Sequence, residues 1–255
     1  MSPEERKKVA ARALPLVDLT DLTDTCSHAS IDELCARAQT PHGNVGAICI
    51  WPRFVSHARK IFRGTDIPIA TVVNFPAGDA SIDMTIAETR AAIGDGADEI
   101  DLVHPYREFA KGNIDASKKM IGAIREITNG RALLKVILET GELQDTDLIA
   151  SASEIAIQAG ADFIKTSTGK VPVNATPEAA RIMLEAISKS GKPVGFKPAG
   201  GVKTTEDAAQ YLALADKILG PDWASPQTFR FGASGVLSDL LAALDGKSAE
   251  SGSGY

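Results

Sequence analysis

The chain has 255 residues and a formal net charge of −6, with 44% apolar and 24% charged residues. These proportions are typical of a folded globular protein and exclude extensive disorder. The acidic balance excludes a globally basic surface for nucleic acid or an anionic membrane, so an anionic ligand would have to bind in a local pocket. The chain contains no run of roughly 18 apolar residues and therefore no predicted membrane span.

The N-terminal segment and the cysteines favour a cytoplasmic protein. The segment MSPEERKKVAARALP carries charges where a secretory signal needs an apolar core, so we expect no signal peptide. Cys26, Cys35 and Cys49 include no Cys-x-x-Cys pair, which favours free thiols in a reducing compartment. The four histidines show no metal-binding spacing, and we expect neither a metal nor another cofactor.

Eight short apolar, β-branched runs predict strands along the chain. They lie at residues 16–20, 46–51, 69–75, 98–103, 133–139, 162–167, 194–198 and 229–234. The middles of successive runs are about 24–34 residues apart, which leaves room for one helix after each strand. Ile82, Ile86 and Ile93 illustrate the helical spacing of apolar residues between the runs. Ser81 and Thr176 stand where such helices are expected to begin.

Eight strands that alternate with eight helices predict parallel pairing through right-handed crossovers. At this length the economical closure is a single (β/α)8 (TIM) barrel, which we assign to residues 1–246. An open doubly wound sheet is the alternative, but no GxGxxG segment follows the first strand. Residues 247–255 are predicted to form a flexible polar tail.

Charged residues interrupt five of the predicted strands. Strands of a parallel barrel are covered on both faces, so a lone charge there is unfavourable unless it is paired. The five residues are Asp18, Asp101, Lys135, Lys165 and Lys197. A structural ion-pair network is one interpretation. However, Lys165 and Lys197 each end a strand just before a glycine-containing loop, on the face where barrel enzymes carry out their chemistry.

Two neighbouring lysines suggest a specific chemistry. A nearby cation and a dry wall lower the pKa of a lysine, and the neutral amine can then form a Schiff base with a carbonyl. Asp101 could move protons during carbinolamine dehydration or carbon deprotonation. No cofactor is needed, because the protonated imine itself accepts the electron pair.

The loops after the last three strands predict an anion site. They comprise residues 168–170, 199–203 and 232–235, and they combine glycines with Lys170, Lys203 and Ser234. Glycines let backbone N–H groups approach an anion, and helices that begin near Thr204 and Ser234 add their N-terminal dipoles. Barrel enzymes commonly hold phosphate at the loops after strands seven and eight.

These segments resemble those of the 2-deoxyribose-5-phosphate aldolases, a family of class I (Schiff-base) aldolases with a (β/α)8 fold. The similarity extends from about Leu14 to Tyr255. The segments that carry it are LVDLTDL, NVGAICIWPRF, ATVVNFPAG, ETRAAIGDGADEIDLVHPYR, LLKVILETGEL, AGADFIKTSTGK, GFKPAGGVKT, FRFGAS and the terminal tyrosine.

The resemblance implies a role for each matching residue. Lys165 would form the Schiff base, Lys197 would tune it, and Asp101 would serve the proton relay. Tyr255 would be the mobile C-terminal tyrosine that assists proton transfer. The implied polar lining around the sugar comprises Asp18, Thr20, Cys49, Lys135 and Thr168. The implied phosphate-binding residues are Gly169, Lys170, Gly200, Gly201, Val202, Lys203, Gly232, Ser234 and Gly235.

Two departures from the family pattern concern the phosphate. Some relatives carry a second serine where this chain has Gly235, and some carry arginine where it has Lys203. Because lysine lacks the bidentate fork of arginine, we expect phosphate binding to persist in a weaker form and unphosphorylated aldehydes to be tolerated.

The reaction that the resemblance implies is the reversible cleavage of 2-deoxy-D-ribose 5-phosphate to acetaldehyde and D-glyceraldehyde 3-phosphate, in deoxyribonucleoside catabolism. The alternatives are a class I or transaldolase-like enzyme for another phosphosugar, and a barrel that binds a phosphosugar without catalysis. The expected partners are small molecules, with no nucleic acid or membrane, and the expected assembly is a monomer or homodimer.

Overall fold

A computed structural model describes residues 1–247 and confirms the predicted (β/α)8 barrel. Each of its eight parallel strands overlaps one predicted run. The strands are β1 (Val17–Asp21), β2 (Ala47–Ile50), β3 (Ile69–Val73), β4 (Glu99–Val103), β5 (Leu133–Ile137), β6 (Phe163–Lys165), β7 (Gly195–Lys197) and β8 (Phe231–Ala233). Consecutive strands pair from β1 to β7, and β8 pairs with β1. Isolated bridges between Phe196 and Phe229 and between Ala199 and Gly232 join β7 to the β8 segment.

Eleven α-helices accompany the strands within residues 1–247. They are α1 (Pro3–Ala13), α2 (His28–Arg37), α3 (Val55–Ile61), α4 (Ile82–Gly94), α5 (Tyr106–Ala110), α6 (Ile114–Thr128), α7 (Thr140–Leu143), α8 (Thr146–Gln158), α9 (Pro177–Ser190), α10 (Thr205–Leu219) and α11 (Val236–Leu244). Eight of these alternate with the strands as predicted. The sequence analysis did not predict α1, α5, α7 or a short hairpin of Gln39–Thr40 with Gly43–Asn44. None of the helices in this part of the chain is both long and apolar enough to cross a bilayer.

The predicted helix starts are confirmed at the hydrogen-bond level. The side chains of Ser81 and Thr176 accept hydrogen bonds from backbone N–H groups in the first turns of α4 and α9. Thr204 and Asp207 form a capping box at the start of α10. Such caps satisfy N–H groups that have no partner within the helix.

The N-terminal helix α1 holds together the two helices beside the β7 and β8 loops. Arg12 donates to both carboxylate oxygens of Asp216 on α10, at 2.7 and 2.5 Å. Arg6 donates to Asp239 on α11, and Asp239 also accepts from the N–H and hydroxyl of Thr205. These contacts fix the spacing of α10 and α11, which begin just after the loops that follow β7 and β8.

The barrel interior is charged, whereas the layer between strands and helices is apolar. Leu134, Val136 and Ile164 illustrate the apolar layer, and each is fully buried. Gly232 makes room for one of the interior lysines, since a Cβ at this position would lie 3.1 Å from Cε of Lys197. The strand register therefore places ionic side chains in the barrel interior, where apolar side chains are expected.

Candidate active site

Seven charged side chains meet inside the barrel, and none of them is more than 4% exposed. We call this group the ionic cluster. Its members are Asp18 on β1, Glu99 and Asp101 on β4, Lys135 on β5, Lys165 on β6, Lys197 on β7 and Arg230 just before β8. The structure thus brings together all five charged residues that interrupt the predicted strands, and it adds Glu99 and Arg230.

Asp101 is the centre of the ionic cluster. One of its carboxylate oxygens, Oδ2, accepts from Lys165 Nζ at 2.7 Å and from Lys197 Nζ at 2.8 Å, and the other accepts from Lys135 Nζ at 3.0 Å. Burial alone would raise the pKa of Asp101, but Lys135, Lys165 and Lys197 together outweigh burial and hold it well below its usual range. Asp101 is therefore ionised at neutral pH and shared by three amines.

Lys197 remains an ammonium group. Its Nζ also donates to Asp18 Oδ2 at 2.5 Å. Burial would lower the pKa of Lys197, but the carboxylates of Asp101 and Asp18 outweigh it, and the pKa lies above its usual value. The pKa of Lys135 is likewise raised, because Asp101 and Glu99 together outweigh its burial. Two fixed cations thus stand beside the carboxylate that Lys165 contacts.

The sequence analysis missed Glu99 and Arg230. Arg230 donates to Asp18 at 2.7 Å and to Glu99 at 2.9 Å, and its Nε donates to the carbonyl of Pro226 at 2.6 Å. Burial would lower the pKa of Arg230, but Asp18 and Glu99 raise it above its usual value. Both missed residues carry the signal that identified the others, a charge within an apolar run, in DEIDLV and FRFGAS.

A cavity of about 430 Å³ opens beside the ionic cluster. Of the seven charged residues, Lys165 alone lines it. All nine residues that the resemblance assigns to phosphate line the same cavity: Gly169, Lys170, Gly200, Gly201, Val202, Lys203, Gly232, Ser234 and Gly235. The structure therefore places the reactive-lysine candidate and the anion-site candidates in one cavity.

The residues assigned to the sugar lining divide into two groups. Thr20 and Thr168 line the cavity, whereas Asp18, Cys49 and Lys135 are fully buried and are not part of its lining. Asp18 and Lys135 instead belong to the ionic cluster. Cys49 packs in a small apolar cluster of buried residues, and burial raises the pKa of its thiol.

The loop after β7 is shaped by two consecutive glycines. Gly200 and Gly201 have φ angles of 79° and 91°, a region that favours glycine. A Cβ on Gly200 would also lie 2.6 Å from Cβ of Asn174. A backbone of this kind, with no side chains in the way, can bring its N–H groups close to an anion.

The helices α10 and α11 differ in whether side chains already occupy the N–H groups at their N-termini, which an anion would otherwise bind. At the start of α10, Asp207 accepts from the N–H groups of Lys203 and Thr204, and Asp239 accepts from Thr205. In contrast, Gly235, the residue just before α11, provides no side-chain cap. The N-terminus of α11 is therefore the better anion site, which narrows the expectation that both helices would contribute.

Glu139 holds the loop after β6 in place. This residue is fully buried and accepts from the Thr168 N–H at 3.1 Å and from the Thr168 hydroxyl at 2.5 Å. Burial raises the pKa of Glu139, although the bonds from Thr168 oppose that effect. Glu139 thus orients Thr168, which lines the cavity, through two hydrogen bonds.

Tyr255 lies outside the described residues, and its assignment stays a prediction.

A barrel that places a buried lysine and glycine-rich loops at one cavity, beside a shared carboxylate, has the arrangement of a barrel enzyme. A family model described as DeoC/LacD family aldolase matches residues 12–238. The chain belongs to this aldolase family and is a lyase.

Individual relatives agree with the family match. The chain is 60% identical to a deoxyribose-phosphate aldolase of Agrobacterium fabrum, over all of this chain and 99% of the relative. A crystal structure of a putative deoxyribose-phosphate aldolase from Toxoplasma gondii superposes with a TM-score of 0.87 at 24% identity, and the match covers 97% of this chain and 100% of that one. A tetrameric deoxyribose phosphate aldolase from Aeropyrum pernix gives 0.75 at 21% identity, covering 94% and 92%. These two structures support the fold.

Proposed function

We propose that the chain is a class I deoxyribose-phosphate aldolase, which cleaves 2-deoxy-D-ribose 5-phosphate reversibly to acetaldehyde and D-glyceraldehyde 3-phosphate. The observation that carries this proposal is the presence of Lys165 in the lining of a cavity whose loops suit a phosphate. Lys165 supplies an amine for the aldehyde carbon of a short sugar, and the loops supply an anion site for the phosphate at its other end.

The first half of the reaction builds an imine on Lys165. In the cleavage direction, the neutral amine attacks C1 of the open-chain aldehyde and forms a carbinolamine. This intermediate loses water and becomes a protonated imine. Asp101 Oδ2 lies 2.7 Å from Lys165 Nζ, within reach of the protons that must move.

The second half breaks the carbon–carbon bond. A base removes the proton of the C3 hydroxyl, the C2–C3 bond breaks, and its electron pair moves into the imine to give an enamine. D-glyceraldehyde 3-phosphate leaves. Protonation at C2 and hydrolysis of the imine then release acetaldehyde and restore the amine. We assign the proton transfers to Asp101 and Lys197, with water as the carrier and Tyr255 as an assistant.

The direct test of the proposal is an assay of acetaldehyde release from 2-deoxy-D-ribose 5-phosphate. We expect turnover that persists in the presence of a metal chelator, because the protonated imine accepts the electron pair. Other phosphosugars serve as the comparison. Cleavage of a different phosphosugar with a larger kcat/KM would favour the transaldolase-like alternative, and binding without turnover would favour a non-catalytic barrel.

Lys170 and Lys203 are proposed to hold the substrate phosphate. We expect the double variant K170M/K203M to raise KM for the phosphorylated sugar on the order of 10- to 100-fold, because each lysine supplies a charge-assisted hydrogen bond. Cleavage of unphosphorylated 2-deoxyribose should change little. The matched control is K189M/K192M, which removes two lysines from α9 and the segment after it. An equal loss on both substrates would contradict the assignment.

Tyr255 is proposed to assist the protonation of the enamine. Deletion of this residue is expected to slow the exchange of acetaldehyde methyl protons with deuterated water by more than it weakens substrate binding. NMR of acetaldehyde with the full chain and with the chain shortened by one residue measures the exchange. An unchanged exchange rate would remove Tyr255 from the mechanism.

We also propose a cytoplasmic location, which is supported by the three cysteines, all of which are buried free thiols. A monomer or homodimer stays the predicted assembly.

A further inference from the structure

The ionic cluster contains one more basic group than it contains carboxylates. It contains three carboxylates, of Asp18, Glu99 and Asp101, and four basic groups. Three of the basic groups, Lys135, Lys197 and Arg230, together match the three carboxylates. The cluster is therefore electrically balanced when the fourth, Lys165, carries no charge. Because an uncompensated buried charge is unfavourable, each basic group of the cluster bears on the charge that the others can carry.

Arg230 contributes one positive charge to this balance without contacting Lys165. It bonds to Asp18 and Glu99, and neither carboxylate is a hydrogen-bond partner of Lys165. Asp18 in turn contacts Lys197, and Glu99 contacts Lys135. Arg230 is 4% exposed and is absent from the cavity lining, so any effect on the reaction must pass through these ionic contacts.

We propose that Arg230 is a positioning residue of the aldol reaction, which offsets Asp18 and Glu99 so that Lys165 can lose its proton and react. Without Arg230, the three carboxylates face two permanent cations, and the cluster is balanced only when Lys165 is protonated. This inference rests on the proposed function of Lys165.

Other charged or titratable groups also face Lys165. Asp101 on β4 and Lys197 on β7 are the nearest, and Lys135 on β5 shares Asp101 with it. Cys49 on β2 and Glu139 after β5 lie within electrostatic range. The test below leaves all of these groups unchanged, so differences between variants report on the Arg230–Glu99 pair.

The test uses three variants that disturb the same ion pair with different charge changes. R230M makes the cluster one unit more negative, E99Q makes it one unit more positive, and E99Q/R230M leaves its charge unchanged. R230K retains the charge and loses the guanidinium fork. The readout is the initial rate at which acetaldehyde and cyanoborohydride label Lys165, measured by mass spectrometry as a function of pH, with thermal unfolding as the check on folding.

We expect R230M to move the acid limb of the labelling profile upward by roughly one pH unit, the scale for a charge a few contacts away at an effective dielectric of about 20. E99Q should leave the limb at or below its original pH, and the double variant and R230K should lie near the unaltered protein. If R230M alone does not fold, the comparison of E99Q with E99Q/R230M replaces it: the limb of E99Q should lie below that of the unaltered protein, and adding R230M should move it back upward.

A purely structural role for Arg230 predicts a different pattern. Both R230M and E99Q break the Arg230–Glu99 bonds, R230M also removes the bond to Asp18, and E99Q weakens the contact with Lys135. Both variants would therefore lower stability, and their labelling profiles would keep the same pH dependence. That result, or an upward shift in E99Q equal to that in R230M, would overturn the inference and leave the proposed function standing. No labelling of Lys165 in the unaltered protein would overturn both.

Discussion

Replacing Lys165 with leucine is expected to abolish aldol cleavage, with a fall in kcat on the order of 10⁴-fold or more. The reason is that leucine has no nucleophile with which to form the imine, and none of the other cluster residues lines the cavity. The measurement is acetaldehyde release from 2-deoxyribose 5-phosphate. Borohydride with acetaldehyde should add one ethyl group to the unaltered protein at Lys165 and none to the variant.

The fold should survive this substitution. Without Lys165, Asp101 still accepts from Lys135 and Lys197, so no buried carboxylate is left unpaired. K189L on the outer face of α9 is the matched control, because it makes the same chemical change at an exposed ammonium group. Turnover retained in folded K165L, or an ethyl group on another lysine of the unaltered protein, would refute the role of Lys165.

Replacing Asp101 with asparagine is expected to cost both stability and activity. The change removes the carboxylate shared by three buried lysine side chains, and breaking a buried pair in this way typically costs about 3–5 kcal/mol of unfolding free energy. Loss of the proton relay should lower kcat by roughly 10²- to 10⁴-fold. Denaturant unfolding and steady-state kinetics measure the two effects separately.

The control for D101N is D216N on the barrel exterior. This variant also loses a bidentate ion pair, that of Asp216 with Arg12. The pair is about one third exposed, so the expected loss of unfolding free energy is about 1 kcal/mol or less. A D101N protein with the original stability would contradict the central place of Asp101 in the cluster. Original activity in a folded D101N protein would contradict its place in the relay.

The strands and the charged residues within them could be predicted from the sequence because both signals are local. An apolar run of a few residues predicts a strand, and a lysine inside such a run stands out. The same reasoning could have found Arg230 and Glu99. The pairing of Arg230 with Asp18, however, depends on the closure of the barrel, which brings residues 18 and 230 together through the pairing of β1 with β8.

Some features had no usable signal in the sequence. Helices α5 and α7 are one turn or little more, and the hairpin has two residues in each strand, so neither period 3.6 nor period 2 can develop. The environment of each lysine was equally hidden. The pKa of Lys197 is raised because the fold gives it two carboxylates, Asp101 and Asp18, and no local pattern in the sequence indicates that these residues meet.

The ionic cluster is buried, whereas Lys170 and Lys203 in the cavity lining are accessible to solvent, and this difference determines how each responds to ionic strength. Mobile ions screen exposed charges beyond a Debye length of about 10 Å at 0.1 M salt, but they screen buried pairs far less. Lys170, with a side chain 30% exposed, and the exposed Lys203 stand where ions can reach them, whereas Asp101 and Lys197 do not. We therefore expect added salt to weaken the proposed capture of a phosphorylated substrate and to leave the proposed imine chemistry largely unchanged.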